Sequence, residues 1–234
     1  NLPECATAVG EKTVNSHQIA PNYQAILLDL DGTLIDTVGD FVTAINHMLT
    51  NLFAQPNLMV ESFQTPQIKA HEITQMVGKG SEHLVSQALQ WAETCQPERQ
   101  ITDLNSWQDW ALGCYLSHYA KINGLFSELY PGVEATLKSW QQMGLPLVCL
   151  TNKPERFARA LLTQKNCLGY FNTVIGGDTF ERKKPHPLPL LKACEGLKTL
   201  PQNTLMVGDS INDVQAARAA QCPVILVSYG YNHG

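Results

Sequence analysis

The chain lacks any run of roughly 18 to 20 consecutive apolar residues, the length a membrane-crossing helix needs, so it offers no candidate span. It also lacks a long run of lysine or arginine, and its 16 Lys and Arg stand against 21 Asp and Glu for a net charge of −5. That balance excludes the basic groove of a nucleic-acid binder and a patch for an anionic membrane surface; any phosphate must be attracted locally. No C-x-x-C pair occurs among the seven cysteines, Cys5, Cys95, Cys114, Cys149, Cys167, Cys194 and Cys222. An odd set without that spacing indicates neither a zinc site nor a disulfide framework, and a soluble protein of the reducing cytoplasm is expected. Residues 1–20 have neither a basic start nor an apolar stretch, so they read as an extension rather than a secretory signal. The first residue is Asn1 rather than Met, and the completeness of either end stays open. Internal repeats and low-complexity tracts are missing as well.

What is present is a chain of 234 residues with 44% hydrophobic content, enough for one large domain or a domain with an insertion. The most informative stretch is Ala25-Ile26-Leu27-Leu28-Asp29-Leu30-Asp31-Gly32-Thr33-Leu34, an apolar strand running into two carboxylates. Residues two apart on a strand project to the same side, so Asp29 and Asp31 can converge while Leu30 faces the core. Gly32 lets the backbone turn closely around whatever they hold. Two acids this close repel unless a cation, a proton or a division of labour separates them. A solvated Asp-Gly turn is the simpler alternative on these ten residues alone.

Further polar signals follow other apolar runs. Leu145–Leu150 leads into Thr151-Asn152-Lys153, and Thr204-Leu205-Met206-Val207 leads into Gly208-Asp209-Ser210-Ile211-Asn212-Asp213, with Lys183-Lys184-Pro185-His186-Pro187 between them. Strands ending in polar groups, with helices between, describe an α/β fold, a doubly wound, mainly parallel Rossmann-like sheet whose site lies beyond the carboxyl ends of the strands. Strands are expected near 25–30, 145–150, 173–176, 203–208 and 223–228. Helices are expected after Pro154, Pro187 and Ser210, the last capped by Ser210 and ending near Gln221. This directs a helix N-terminus toward the carboxylates.

More than a hundred residues separate the first two of these strands, far beyond a median loop of about 4 to 6. Phe41, Ala44, Ile45, Met48, Leu49 and Leu52 recur at helical spacing, as do Leu84, Val85, Ala88, Leu89 and Trp91-Ala92. Trp107, Trp110, Ala111, Cys114, Leu116 and Tyr119 suggest another helix, its aromatics serving packing. The expected organisation is an extension over 1–20, a catalytic core over 21–40 and 125–234, and an inserted helical cap over 41–124. Pro56, Pro66 and Pro97 mark turns in the cap, and the segments 37–41 and 123–131 are candidate hinges.

An acid pair on the first strand, a Thr, a Lys and a second acid cluster, in that order, resemble the signature of the haloacid dehalogenase superfamily of phosphoryl-transfer enzymes. The likeness covers most of residues 24 to 230. Within the superfamily, Lys184-Pro185-His186-Pro187, the Gly208-to-Asp213 segment and Ser228-Tyr229-Gly230-Tyr231-Asn232 look like phosphoglycolate phosphatases, and the chain stops where similar proteins usually continue. A phosphate monoester repels nucleophiles, so its site must neutralise charge, and a carboxylate can split one difficult displacement into two. The resemblance implies Asp29 as that nucleophile and Asp31 as the acid that protonates the leaving oxygen and then activates water. It implies Mg²⁺, held by the side chains of Asp29 and Asp209 and the backbone carbonyl of Asp31. Lys184, favoured over Lys183, would meet the phosphoryl group, with the Thr151 hydroxyl and the Asn152 N–H. Asp213 is expected behind the ligands, Asp36 fixing a loop, and His186 without chemistry. In Val77-Gly78-Lys79-Gly80-Ser81, Lys79 either reaches a substrate carboxylate on cap closure or belongs to an ordinary turn and helix cap.

The function implied is Mg²⁺-dependent hydrolysis of a small phosphorylated metabolite, foremost 2-phosphoglycolate, by a monomer or homodimer without nucleic-acid or membrane partners. A phosphosugar mutase of the same superfamily is the nearest alternative. A phospho-accepting signalling receiver domain is an alternative of another class, opposed by the long insertion and by the Asp29-Leu30-Asp31 arrangement. A dehalogenase would leave Asp31 and the metal ligands without a task, and an inactive interaction protein would not need every catalytic position filled.

Overall fold

The apolar run at 25–28 pairs on both edges and is buried on both faces, as a central parallel strand must be. In the computed structural model, residues 23–56, 58, 65–95 and 104–231 are described. The expected extension over 1–20, the turn at Pro97 and Asn232 lie outside the described residues. In chain order the elements are β1 (Ala25–Leu28), β2 (Ile35–Asp36), α1 (Val38–Phe53), α2 (Ala70–Met76), α3 (Ser81–Cys95), a 3₁₀ turn at Leu104–Trp107, and α4 (Gln108–Ile122). There follow β3 (Glu128–Leu129), α5 (Val133–Gln142), β4 (Leu147–Leu150), α6 (Glu155–Gln164), β5 (Thr173–Ile175), α7 (Leu188–Leu197), β6 (Thr204–Gly208), α8 (Ile211–Ala220) and β7 (Val224–Leu226).

Five strands form one sheet in the order β5-β4-β1-β6-β7, every neighbouring pair parallel. Alternation sorts their side chains between two cores. Ile26, Leu28, Leu147, Cys149, Leu205 and Val207 pack toward Val133, Leu137 and Trp140 of α5 and Ala158, Leu161 and Leu162 of α6. Leu27, Val148, Leu150 and Met206 pack the other way, onto Leu190, Ala193 and Cys194 of α7 and Ala216, Ala217 and Ala220 of α8. The doubly wound parallel sheet is therefore as expected. α5 was not anticipated, and Pro154 and Pro187 stand at the N-caps of α6 and α7 rather than inside their first turns.

Helices α1 to α4 bury a third cluster. Phe41, Ala44, Ile45, Met48, Leu49 and Leu52 line one face of α1, and Leu84, Val85, Ala88, Leu89 and Ala92 one face of α3. In α4 the buried stripe runs through Ala111, Tyr115, Tyr119 and Ile122, whereas Trp110, read from sequence as part of the packed face, is 37% exposed. No helix among the described residues is long and apolar enough to cross a membrane.

The way out of the sheet and the way back are tied together. β2 and β3 pair antiparallel, Ile35 opposite Leu129 and Asp36 opposite Glu128. The fully buried Asp40 of α1 accepts hydrogen bonds from the Gly124 N–H at 2.6 Å, the Phe126 N–H at 2.8 Å and the Ser127 hydroxyl. A carboxylate with this many donors satisfies backbone groups that would otherwise be buried unpaired.

Candidate active site

Leu28 of β1 lies level with Cys149 of β4 and Val207 of β6, so three adjacent strands end side by side. Their continuations bring Asp29, Thr151 and Asp209 to one place, the crevice at which a doubly wound sheet binds ligands. Asp29 and Asp209 are 7% and 3% exposed. Asp29 Oδ1 accepts the Leu30 N–H at 2.8 Å and faces Lys184 Nζ at 3.0 Å. Lys184 also donates to Asp213 Oδ1 at 2.6 Å and to the Leu150 carbonyl at 2.9 Å, which commits all the donors an ammonium has.

Asp213 is fully buried beside Asp29 and Asp209. Its Oδ2 accepts the Asp209 N–H at 3.2 Å, the Ser210 N–H at 3.0 Å and the Ser210 hydroxyl at 2.7 Å, closing the capping box of α8. Asp209 accepts the Thr33 hydroxyl at 3.2 Å on Oδ1 and the Tyr231 N–H at 2.7 Å on Oδ2. Gly32 is required here: its φ is +84°, and a Cβ would sit 2.2 Å from Asp209 Oδ2.

Oxygen atoms of Asp29, Asp209 and Asp213 fall within 4.8 Å of one another. Burial, reinforced by Asp213 and Asp209 and opposed by Lys184, pushes the Asp29 carboxyl up to about 8. Burial likewise pushes Asp209 up to about 6, with Asp213 adding to it and the Tyr231 N–H opposing. For Lys184, burial works against the ammonium, yet Asp213 and Asp29 outweigh it and raise its pKa. Buried carboxylates held this close call for positive charge. Asp29, Asp31 and Asp209 line the cavity and Asp213 does not, and carboxylate oxygens of this kind are a donor set that fits a hard divalent cation.

The cavity in front of these groups is about 30 Å³, two or three water-sized spheres at roughly 10–15 Å³ each. Strand ends supply Asp29, Asp31, Thr151, Asn152, Lys153, Asp209 and Ser210, and helices α1, α3 and α4 with the loop before α3 supply the rest of the wall, joined by Tyr231. Thr151 Oγ1 accepts the Lys153 N–H at 3.2 Å. The side-chain amide of Asn152 donates to the Gly78 carbonyl and the Lys184 carbonyl, both at 2.8 Å, and Asn212 reaches the same Gly78 carbonyl at 3.2 Å. These bonds hold the Val77–Ser81 loop over the strand ends.

Gly78, Gly80 and Ser81 line the cavity, whereas Lys79 between them is exposed and is not part of the wall. Lys183 pairs instead with Glu82 of α3 at 3.3 Å, leaving the interior to Lys184. Asp36 accepts the Val38 N–H at 3.2 Å and the Tyr231 hydroxyl at 3.1 Å, and His186 Nδ1 accepts the Leu188 N–H at 3.2 Å. Sequence reasoning missed Lys153. Its Nζ is 2.8 Å from Asp31 Oδ1 and lies over the rings of Phe41 and Tyr119, at 4.6 and 5.0 Å from their centroids. The signal available was its place directly after Thr151-Asn152 at a strand end.

Residues 23–221 match the model of the haloacid dehalogenase-like hydrolases. The chain belongs to that family. It is 39% identical over 211 residues to the phosphoglycolate phosphatase of Nitrosospira multiformis and 37% identical over 211 residues to that of Thiobacillus denitrificans, covering 90% of this chain and 86% of the relative in each case. Among solved structures, one described as a predicted phosphoglycolate phosphatase from Haemophilus somnus superposes with a TM-score of 0.80 at 30% identity, over 91% of this chain and 88% of that one. The family membership of the chain and the doubly wound sheet agree with the resemblance read from the motifs.

Proposed function

We propose that this chain is a divalent-metal-dependent phosphatase that hydrolyses 2-phosphoglycolate to glycolate and phosphate through a phospho-aspartate at Asp29. The observation that carries the reading is Asp29 facing Lys184 at 3.0 Å, beside Asp209, at the level ends of three strands and within a cavity of about 30 Å³. The phosphoglycolate phosphatases it is similar to support the choice of substrate.

In the first step a carboxylate oxygen of Asp29 forms a bond to phosphorus while the bond to the ester oxygen breaks, and Asp31 gives that oxygen a proton. In the second, Asp31 takes a proton from water as the water oxygen bonds to phosphorus and the acyl phosphate bond breaks. Lys184, the Thr151 hydroxyl and backbone N–H groups at the strand ends offset charge on the phosphoryl oxygens. Asp29, Asp209 and the Asp31 carbonyl would hold Mg²⁺. When bound, it supplies positive charge that lets a phosphate dianion approach these acids.

Residues 41–124 serve as a cap over the core formed by 21–40 and 125–234, and the Gly78 carbonyl on Asn152 and Asn212 is its point of docking. The test is a panel of phosphorylated metabolites assayed with Mg²⁺ and after chelation. Stoichiometric phosphate and glycolate from 2-phosphoglycolate, lost on chelation, is expected. An isomerised sugar phosphate without free phosphate, or undiminished turnover after complete chelation, contradicts it.

A further inference from the structure

The two buried lysines of the site differ in how their donors are spent. Lys184 gives its three to Asp29, Asp213 and the Leu150 carbonyl. Lys153, 5% exposed, has one hydrogen-bond acceptor among the described residues, Asp31 Oδ1 at 2.8 Å. Around it lie the rings of Phe41 and Tyr119, which attract a cation but accept no strong hydrogen bond. The ammonium is therefore held in place with donor capacity left over.

Lys153 is also the one cation among the described residues that line the cavity; the other charged members of the wall are Asp29, Asp31 and Asp209. From the cap side come Phe41, Val77, Leu84 and Tyr115, which carry no positive charge, and Lys79 is exposed. Among the charged side chains that line the cavity, a leaving group bearing a carboxylate would meet three acids and no cation if Lys153 were absent. Its position suits such a group. Asp31 must reach the ester oxygen to protonate it, Lys153 adjoins Asp31, and in 2-phosphoglycolate a single methylene separates that oxygen from the carboxylate.

Resting on the phosphatase reading above, we propose that Lys153 binds the carboxylate of the leaving group and so selects small phosphorylated acids over neutral esters. The substrate carboxylate takes the donors Asp31 leaves unused, and the aromatic rings of the cap fix the ammonium where it is needed. Selection then depends on the cap seating on the core, although the selecting charge itself belongs to the strand end after β4.

The experiment compares kcat/KM for 2-phosphoglycolate with that for its neutral carboxamide analogue. The expected result is that the acid-to-amide ratio falls roughly tenfold to a hundredfold in Lys153→Met, the scale of a lost charge-assisted contact, stays higher in Lys153→Arg than in Lys153→Met, and does not fall in Lys79→Ala. An equal loss for both substrates in Lys153→Met would make the residue a support for Asp31 alone and overturn the proposal. So would a fall confined to Lys79→Ala. A wild-type protein that cleaves neutral esters but not 2-phosphoglycolate breaks the substrate assignment and this inference with it, whereas a preference for the acid that Lys153→Met leaves intact breaks only the inference. Should Lys153→Met fail to fold, inhibition of the wild type reads the same preference: glycolate must bind more tightly than glycolamide, and equal inhibition overturns the proposal.

Discussion

Two regions of the molecule meet at the cavity and bring it different chemistry. The ends of β1, β4 and β6 and the segment between β5 and α7 contribute carboxylates and ammonium groups, and Lys184 joins Asp29 to Asp213 while Asp213 joins the start of α8. Residues 38–122 contribute rings, aliphatic side chains and the backbone of a glycine-flanked loop. Network groups are fixed by strand register and by contacts between segments that the sheet brings together. The roof is fixed by helix packing and by two amide contacts to the Gly78 carbonyl. On the proposed mechanism the chemistry at phosphorus falls to the sheet ends, while the helices supply the remaining wall of the cavity.

The sharpest way to break that division is at Asp29. Asp29→Asn changes volume little and removes the attacking oxygen, so turnover should fall to the detection limit while the circular dichroism spectrum stays that of the wild type. Near-normal phosphate release would remove the sheet's claim to the chemistry. Next in size is Asp31→Asn, expected to lower kcat by about 10²- to 10⁴-fold, the usual contribution of general acid–base catalysis. The loss should be greater for poor leaving groups than for good ones; an equal loss for both would mean Asp31 does not protonate the ester oxygen.

On the side of the roof, Asp40→Ala tests how the excursion is anchored. It leaves two backbone N–H groups and a hydroxyl without their acceptor, at roughly 1–3 kcal/mol for each buried group left unsatisfied, so a stability loss of at least about 2 kcal/mol is expected in denaturant titration. A loss below that would mean that the β2–β3 ribbon alone holds the connections.

The smallest effect is one of linkage. Asp29 and Asp209 have folded pKa values near 8 and 6, both above the ordinary 3.8. Between about pH 4 and 8 the metal-free folded state thus binds more protons than the unfolded state, and its stability falls as pH rises through that window. A divalent cation held by Asp29 and Asp209, as proposed, would take the place of those protons. The gain in Tm from saturating Mg²⁺ should therefore increase from pH 5 to pH 8, and a gain that shrinks over this range would place the cation elsewhere.

The sheet side of the comparison was far more legible in the sequence than the roof. The runs ending in Asp29, Thr151 and Asp209 are almost continuously apolar and close on a change of polarity, and both are local signals. Lys184 could be placed by its position before Pro185. Lys153 could not, because its direction depends on Phe41 and Tyr119, distant in sequence and adjacent only after folding. Asp40 gave no local signal, because its partners lie 84 to 87 residues away. The two-residue strands β2 and β3 are too short to show a pattern. In Gly78-Lys79-Gly80 the sequence left open whether Lys79 reaches a substrate carboxylate or belongs to an ordinary turn and helix cap. The glycine φ values of 102° and 93° accompany an arrangement in which the Gly78 carbonyl meets the core while Lys79 stays exposed.

The most direct test of the account is rapid acid quenching during turnover of 2-phosphoglycolate carrying a labelled phosphoryl group, in the presence of Mg²⁺. Label is expected on the precipitated protein, released by hydroxylamine as an acyl phosphate must be, located to the peptide containing Asp29 and missing from Asp29→Asn. Label on any other residue, or label that persists in Asp29→Asn, would contradict it.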